Sequence, residues 1–474
     1  MLPADICQRA LGARDARFDG IFFVGVTTTR VYCRPVCPSR DAVPTHRRFF
    51  ESAAAAEHAG FRPCLRCRPE LAPGRALIDA VPRLAQVAAH RIGAGALNGQ
   101  GVDVLARELG VSGRHLRRAL QRAIGVSPLE LAQTHRLLLA KRLLADTDLP
   151  VTRIAFASGF QSLRRFNAVF RERYRLSPSA LRPAGQQGTE ADDGVRLTLA
   201  YRAPLAWRAL VASLGRIALP GVELASGNRY ARTVRLAGQA GVIVATDRAA
   251  GADNGDRAHR FHLDVAVSPS LVPALMPVIA RLRHVFDLDA EPSVIDAHLA
   301  QGGLAASVRR RPGLRIPGAV DGFEAVLRAL LATRATRRRV VRALGEPVET
   351  ALAGLTHYAP TAERVAAAGA ARMAALGVPP RRAAAIATLA RAMAGGRLRL
   401  DPGTDVESAR RLLLEVADVG EPLATAIVAP ALYWPDAFPA SHRWLRHVSD
   451  RAERWRPWRA YAALHLTLDD EEFG

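Results

Sequence analysis

Four cysteines define the first chemistry open to this sequence. Cys33 and Cys37 are separated by three residues and Cys64 and Cys67 by two, with 26 residues between the pairs. Each short loop offers two sulfurs to one side of a metal ion, and two such loops complete a tetrahedral Zn²⁺ site. Disulfides would need the same count. Thiols of a cytoplasmic chain stay reduced, however, and all five cysteines fall within the first 67 residues, which favours a metal. Cys7 lies outside the spacing and reads as an unrelated thiol. Spacing alone leaves two uses open. The site can be a purely structural knuckle, or its sulfurs can react, because four thiolates on one Zn²⁺ carry a formal charge of about −2 and stay deprotonated and nucleophilic at neutral pH.

Arginine is the second signature. Lysine and arginine total 66 against 44 acidic residues, a formal net charge of +22 that comes almost wholly from arginine. Such a chain favours a polyanionic partner, nucleic acid first, although a GC-rich genome would also inflate arginine. Leu105-Ala106-Arg107-Glu108-Leu109-Gly110-Val111-Ser112, followed by Arg114-His115-Leu116-Arg117-Arg118, has the helix, glycine turn and basic second helix of a helix-turn-helix. Ile154-Ala155-Phe156-Ala157-Ser158-Gly159-Phe160 repeats it 49 residues on. One extra turn residue then makes the offset 50, pairing Leu116 with Phe166, Leu120 with Phe170 and Ser127-Pro128 with Ser177-Pro178. On a helix Arg114, Arg117, Arg118 and Arg122 share a solvent side while Leu116 and Leu120 face inward. Arg164, Arg165 and Arg171 recur in the second copy beside Gln161, Ser162 and Asn167, residue types that can read base edges; some arginines would serve phosphates only. An ordinary solvated basic face is the alternative.

The elements that must hold these residues fall into distinct patterns. The cysteine region ends near residues 69–74, and an arginine-rich helical pattern runs over 76–181 before a polar, glycine-bearing stretch to Asp193. Residues 196–201, 242–246 and 261–267 then read as strands, and 271–286 as a helix. From Gly322 the pattern is helical again, with breaks at 345–347, 377–380 and 395–396. No N-terminal stretch has the order of a signal peptide, and no apolar run reaches the ~18–20 residues that span a bilayer. A cytoplasmic chain without a membrane partner is expected.

Asp19-Gly20-Ile21-Phe22, Thr29-Arg30-Val31-Tyr32-Cys33-Arg34-Pro35 and Phe61-Arg62-Pro63-Cys64 occur in that order, and residues 5–72 closely resemble the N-terminal domain of Ada proteins. That family repairs methyl phosphotriesters in DNA by irreversible transfer to one zinc-bound cysteine. The resemblance implies Cys33 as methyl acceptor, with Cys37, Cys64 and Cys67 completing the Zn²⁺ site and Thr29, Arg40 and Arg62 contacting the DNA backbone. Methylation would turn a thiolate into a thioether and lower the negative charge facing the phosphates by one, worth a few kcal/mol at ~6 Å and an effective dielectric of ~20 before screening. The repeat over 85–182, each copy closing in Ser-Pro, resembles the AraC family of transcription regulators, which implies promoter DNA and RNA polymerase as partners. Ada proteins also carry a guanine-repair domain with a Pro-Cys-His-Arg nucleophile, for which no cysteine exists after Cys67.

From about Val195 the chain resembles AlkA-type 3-methyladenine DNA glycosylases. The carrying segments are Arg311-Pro312-Gly313-Leu314-Arg315-Ile316-Pro317-Gly318, Asp321-Gly322-Phe323-Glu324, Ala375-Leu376-Gly377 and Glu453-Arg454-Trp455-Arg456-Pro457-Trp458. Such enzymes set a carboxylate against the flipped nucleotide to stabilise the cationic sugar as the base departs. The family places that aspartate six residues after an Asp-x-Phe aspartate; here the segment is Asp436-Ala437-Phe438, and the sixth position is His442 after Ser441. Histidine supplies no negative charge. Asp436 is the only acid close by, with helix capping as its expected role. The family's Pro-Gly-x-Gly hairpin, whose backbone N–H groups grip a phosphate, reads Ala417-Asp418-Val419-Gly420, and its Gly-Gln-Gln-like wedge reads Ala332-Thr333-Arg334. The fold class expected is multidomain α+β. Residues 1–75 form a small zinc-bound α/β domain, 76–183 an all-α double helix-turn-helix, and 184–193 a linker. Residues 194–305 form an AlkA-like α+β subdomain and 306–474 a helical helix-hairpin-helix region. The function expected is an alkylation sensor and transcription regulator fused to a glycosylase domain impaired in base excision; an active glycosylase with a DNA-targeting N-terminus is the alternative.

Overall fold

A computed structural model describes residues 2–39, 42–73, 83–182, 194–247, 261–401, 403–416, 419–438, 445 and 448–473. The 184–193 linker, Arg40, Ala417, Asp418, Ser441 and His442 therefore lie outside the described residues. Among the described residues no helix is long and apolar enough to cross a membrane.

The N-terminal unit contains helices α1 (Ala4–Gly12) and α2 (Ala53–His58) and strands β1 (Phe23–Val26), β2 (Val31–Cys33), β3 (Arg47–Phe50) and β4 (Arg62–Pro63). The sheet order is β3-β1-β2-β4, antiparallel except where β4 runs parallel to β2. Phe23, Tyr32, Phe50 and Phe61 fill its core, with edge-on ring pairs Phe23–Tyr32 and Phe50–Phe61.

Seven helices follow among the described residues, α3 (Arg83–Gly93), α4 (Val102–Glu108), α5 (Gly113–Ile124), α6 (Pro128–Asp146), α7 (Val151–Ala157), α8 (Leu163–Tyr174) and α9 (Pro178–Leu181). The sequence repeat has a direct cause. Gly110 (φ 69°) and Gly159 (φ 87°) make the left-handed turns between the helices of each copy, which a side chain would strain. Leu116, Leu120, Phe166 and Phe170 are fully buried. Each Ser-Pro pair is a helix start: Ser127 and Ser177 cap α6 and α9, and the proline takes the first helical position, where no N–H is needed.

A third unit is built on a five-stranded antiparallel sheet of order β5-β9-β8-β7-β6, with β5 (Val195–Ala200), β6 (Glu223–Ser226), β7 (Arg229–Leu236), β8 (Gln239–Asp247) and β9 (His262–Val267). Helices α10 (Trp207–Ile217) and α11 (Leu275–Val285) complete it, while α12 (Pro292–Leu299) and α13 (Ala305–Arg310) pack in a separate apolar cluster with Ala452, Trp455 and Tyr461. The predicted helix over 271–286 is in two parts, a 3-10 turn at Pro269–Ala274 and then α11; Pro273 lacks the N–H that a continuous helix requires. Phe160, Phe166 and Phe170 of the second helix-turn-helix share one contiguous apolar cluster with Val195, Leu197, Trp207 and Phe286. Each phenylalanine buried there contributes about 2–3 kcal/mol of transfer free energy, so the sheet unit and the second helix-turn-helix copy are joined through a common core.

The C-terminal region is helical: α14 (Gly322–Leu330), α15 (Arg334–Leu344), α16 (Ala362–Ala375), α17 (Pro380–Ala394), α18 (Val406–Leu414), α19 (Glu421–Leu432) and α20 (Arg459–Phe473). Buried ion pairs bind it to the sheet, Arg232–Glu324 at 2.5 Å and Arg328–Glu223 at 2.6 Å. Asp287 makes a further knot, accepting hydrogen bonds from Tyr433 Oη at 2.5 Å and Tyr461 Oη at 2.6 Å. Burial pushes its carboxyl up to about 6 against an ordinary 3.8. A carboxyl raised in the folded state favours folding fully below pH ~4, and that contribution is lost as pH rises through ~6, about 3 kcal/mol in all. Asp287→Asn is therefore expected to flatten the stability loss between pH 4 and 6. Tryptophan fluorescence in urea reads this half selectively, because all five tryptophans lie at 207 or beyond; an unchanged pH slope would exclude Asp287 as its source.

Candidate metal centre and nucleic-acid interface

Strand pairing builds the metal centre. The parallel register Val31↔Arg62 and Tyr32↔Pro63 sets the end of β2 beside the end of β4, so Cys33 and Cys64 emerge side by side. Cys64 N–H donates to Tyr32 O at 2.9 Å, closing that junction. The four sulfurs of Cys33, Cys37, Cys64 and Cys67 lie within 4.8 Å of one another. Zn–S bonds of ~2.3 Å in a tetrahedron put sulfurs about 3.8 Å apart, so an all-thiolate donor set at this spacing fits Zn²⁺. Cys37, Cys64 and Cys67 are buried, at 7%, 8% and 0% exposure, whereas Cys33 is partly open. Arg34 locks the first loop: its N–H donates to Cys67 Sγ at 3.4 Å, and its buried guanidinium pairs with Asp19 and donates to Cys67 O.

A bound Zn²⁺ would take all four sulfurs as thiolates. The protein should accordingly carry one Zn²⁺ per chain. Chelation should make four thiols reactive to a disulfide reagent while leaving the tryptophan fluorescence of the C-terminal half unchanged. A thiol count that does not rise would rule the site out.

Around the centre, Thr29 is exposed in the turn between β1 and β2, and half-buried Arg62 lies next to that turn through its N–H bond to Arg30 O at 2.8 Å. In the helix-turn-helix pair, Arg114, Arg117 and Arg118 are exposed on α5, and Gln161, Ser162, Arg164 and Arg165 are exposed at the start of α8, with Asn167 half-buried. Ser162 also has a structural task, since its hydroxyl accepts from Arg165 N and caps α8. Arg334 is exposed as the first residue of α15, and Gly420 is the exposed N-cap of α19.

Asp436 does not stand free. Its carboxylate is held by Arg459, at 2.8 and 3.0 Å, and by Arg456, at 2.5 Å. It ties the end of α19 to α20, rather than serving as the simple helix cap expected from sequence.

Contacts between units had no local sequence signal. Glu57, Glu70 and Lys141 carry them, buried at the junction of the N-terminal unit with α6.

Three family models match the chain: a metal binding domain of Ada over residues 6–70, a helix-turn-helix domain over 105–184, and an AlkA N-terminal domain over 196–321. A probable bifunctional transcriptional activator/DNA repair enzyme AlkA of Mycobacterium tuberculosis is 36% identical over 485 residues, covering 97% of this chain and 95% of that protein. DNA-3-methyladenine glycosylase 2 of Escherichia coli is 31% identical over 57% of this chain and 95% of its own length. The bifunctional transcriptional activator/DNA repair enzyme Ada of Escherichia coli is 32% identical over 26% of this chain and 34% of that protein. With its order of units reproduced along nearly the whole length of a 36% identical relative, the chain belongs to the family of bifunctional activator/repair proteins that join an Ada metal-binding domain, a helix-turn-helix and an AlkA-type glycosylase fold.

Proposed function

We propose that this protein senses DNA alkylation by accepting the methyl group of a DNA methyl phosphotriester on Cys33, irreversibly, and that it regulates transcription through its helix-turn-helix pair. The carrying observation is the convergence of four thiols, Cys33, Cys37, Cys64 and Cys67, within 4.8 Å of one another in the segment that matches a metal binding domain of Ada. A Zn²⁺ held by Cys33, Cys37, Cys64 and Cys67 supplies thiolate character at neutral pH without a general base. The Cys33 sulfur lone pair attacks the methyl carbon, the carbon–oxygen bond breaks, and the repaired phosphodiester leaves as its anion. Cys33 is then a neutral thioether. Nothing in that sequence regenerates the thiolate, so the reaction stops after one methyl.

Thr29 and Arg62 beside the centre support backbone contact, and the open arginines of α5 and α8 support binding to duplex DNA, with promoter sites and RNA polymerase as partners of the regulator. We assign Arg40 to the same backbone contact from its place in the motif. The glycosylase-like half is read as a DNA-binding domain impaired in base excision, with Arg334 and Gly420 on its DNA-facing side. His442 at the acid position and the engagement of Asp436 by two arginines support that reading. The unit boundaries at 75, 183, 193 and 305 are proposed with it. Mass mapping of Cys33 after exposure to methyl phosphotriester DNA tests the central claim.

A further inference from the structure

Lys141 is the only lysine in a sequence whose other cationic side chains are arginines. It is not on the surface. Its side chain is 3% exposed on α6, where Nζ donates to Cys64 O at 3.4 Å and pairs with Glu70 Oε2 at 2.5 Å. Glu70 is itself 2% exposed, and its other oxygen takes Arg68, whose guanidinium reaches on to Asp146 at the end of α6. The Cys64–Cys67 loop is thus fastened to α6 by a chain of charged groups. Seven residues earlier, two turns along α6 and therefore on the same face, Thr134 donates to Glu57 Oε2 at 3.0 Å. The other Glu57 oxygen accepts from Tyr32 Oη at 3.1 Å, and Tyr32 immediately precedes Cys33. Both halves of the metal centre are consequently tied to one helix. That helix connects the two helix-turn-helix copies, and Arg173 at the end of α8 reaches the Glu57 backbone carbonyl as well.

A compact ammonium suits this position better than a guanidinium, because it concentrates its charge beside a carbonyl of the metal loop. We propose that Lys141 is the coupling residue of the sensor: its attraction to the anionic metal centre holds α6 against the zinc unit, and methylation of Cys33 loosens that hold. The inference rests on the reading of Cys33 as the methylated residue. Loss of one unit of negative charge weakens the ammonium's restraint, and the joint that buries Lys141 opens more often.

The single lysine makes the test specific. Zinc-loaded full-length protein is labelled with an amine-acetylating reagent before and after alkylation by methyl iodide, and both modifications are located by peptide mass mapping. Methyl iodide reaches the sulfur without DNA, so failure of phosphotriester transfer would count against the proposed function while labelling still decides the coupling. Acetylation of Lys141 should be slow in the unmodified protein and roughly tenfold faster once Cys33 is methylated. Cys33→Ser, with its zinc content checked, should show no acceleration. Glu57→Gln, which weakens the second tie, should accelerate labelling without any methylation; Thr134→Val does the same should the Gln variant fail to fold. An unchanged rate after Cys33 methylation, rapid labelling of the unmodified protein, or acceleration in Cys33→Ser would each overturn the proposal.

Discussion

Mixed with a duplex carrying a methyl phosphotriester, the zinc-loaded protein is expected to take up one methyl group per chain, on Cys33, and then stop. The stoichiometry follows from the product, since a thioether has no proton to lose and no second lone-pair anion to offer. Cys33→Ser should reduce uptake to background. A hydroxyl is a poor zinc ligand and a poor nucleophile, so zinc content must be measured alongside to separate lost chemistry from lost fold. The pH profile carries more information. A free thiol with pKa near 8.5 would gain about tenfold in rate per unit between pH 6 and 8 as its thiolate fraction grows. A zinc-held sulfur is already a thiolate, so uptake should be nearly flat across that range. Methyl appearing on Cys7, which is fully buried, or uptake persisting in Cys33→Ser, would sink the assignment.

The metal centre was legible because its chemistry is written in spacing. Two short cysteine loops need only a local turn each, and parallel pairing of β2 with β4 supplies the rest. The helix-turn-helix pair was legible for a similar reason, since Gly110, Gly159 and the two Ser-Pro starts encode turns and caps that act over a few residues. What stayed hidden depends on distant partners. Strand β7 is buried on both faces and includes Arg232, whose charge is answered by Glu324 from another unit; no period-2 alternation survives to mark it as a strand. Lys141 and Glu57 look like ordinary polar positions of surface helices. Only the docking of α6 on the zinc unit buries them, and docking leaves no periodic trace. Asp436 was expected to cap a helix, but the arginines that take its carboxylate lie 20 and 23 residues further on.

The glycosylase-like half is expected to release no 3-methyladenine from methylated duplex above the uncatalysed rate, and His442→Asp is the substitution most able to change that. A carboxylate about 4 Å from the developing sugar cation is worth roughly 4 kcal/mol at an effective dielectric of ~20, close to three orders of magnitude in rate. Neutral histidine forfeits that term, and a protonated imidazole reverses its sign. Asp436, the nearest acid before His442 in the sequence, is not expected to compensate. Asp436 is already engaged by Arg456 and Arg459, and pulling it away would break three of their hydrogen bonds, leaving both guanidiniums to Glu453 alone. His442→Asp would restore the negative charge and raise base release by up to about a thousandfold, whereas His442→Asn, similar in polarity but uncharged, should remain inactive. The size of the gain is diagnostic. A full gain would mean that the acid was all this domain lacked. A small one would place further loss in the grip on DNA, where the sequence reads Ala417-Asp418-Val419-Gly420 in place of the family's Pro-Gly-x-Gly. Multiple turnover by the unaltered protein, abolished by truncating the C-terminal half, would show instead that excision survives without the carboxylate.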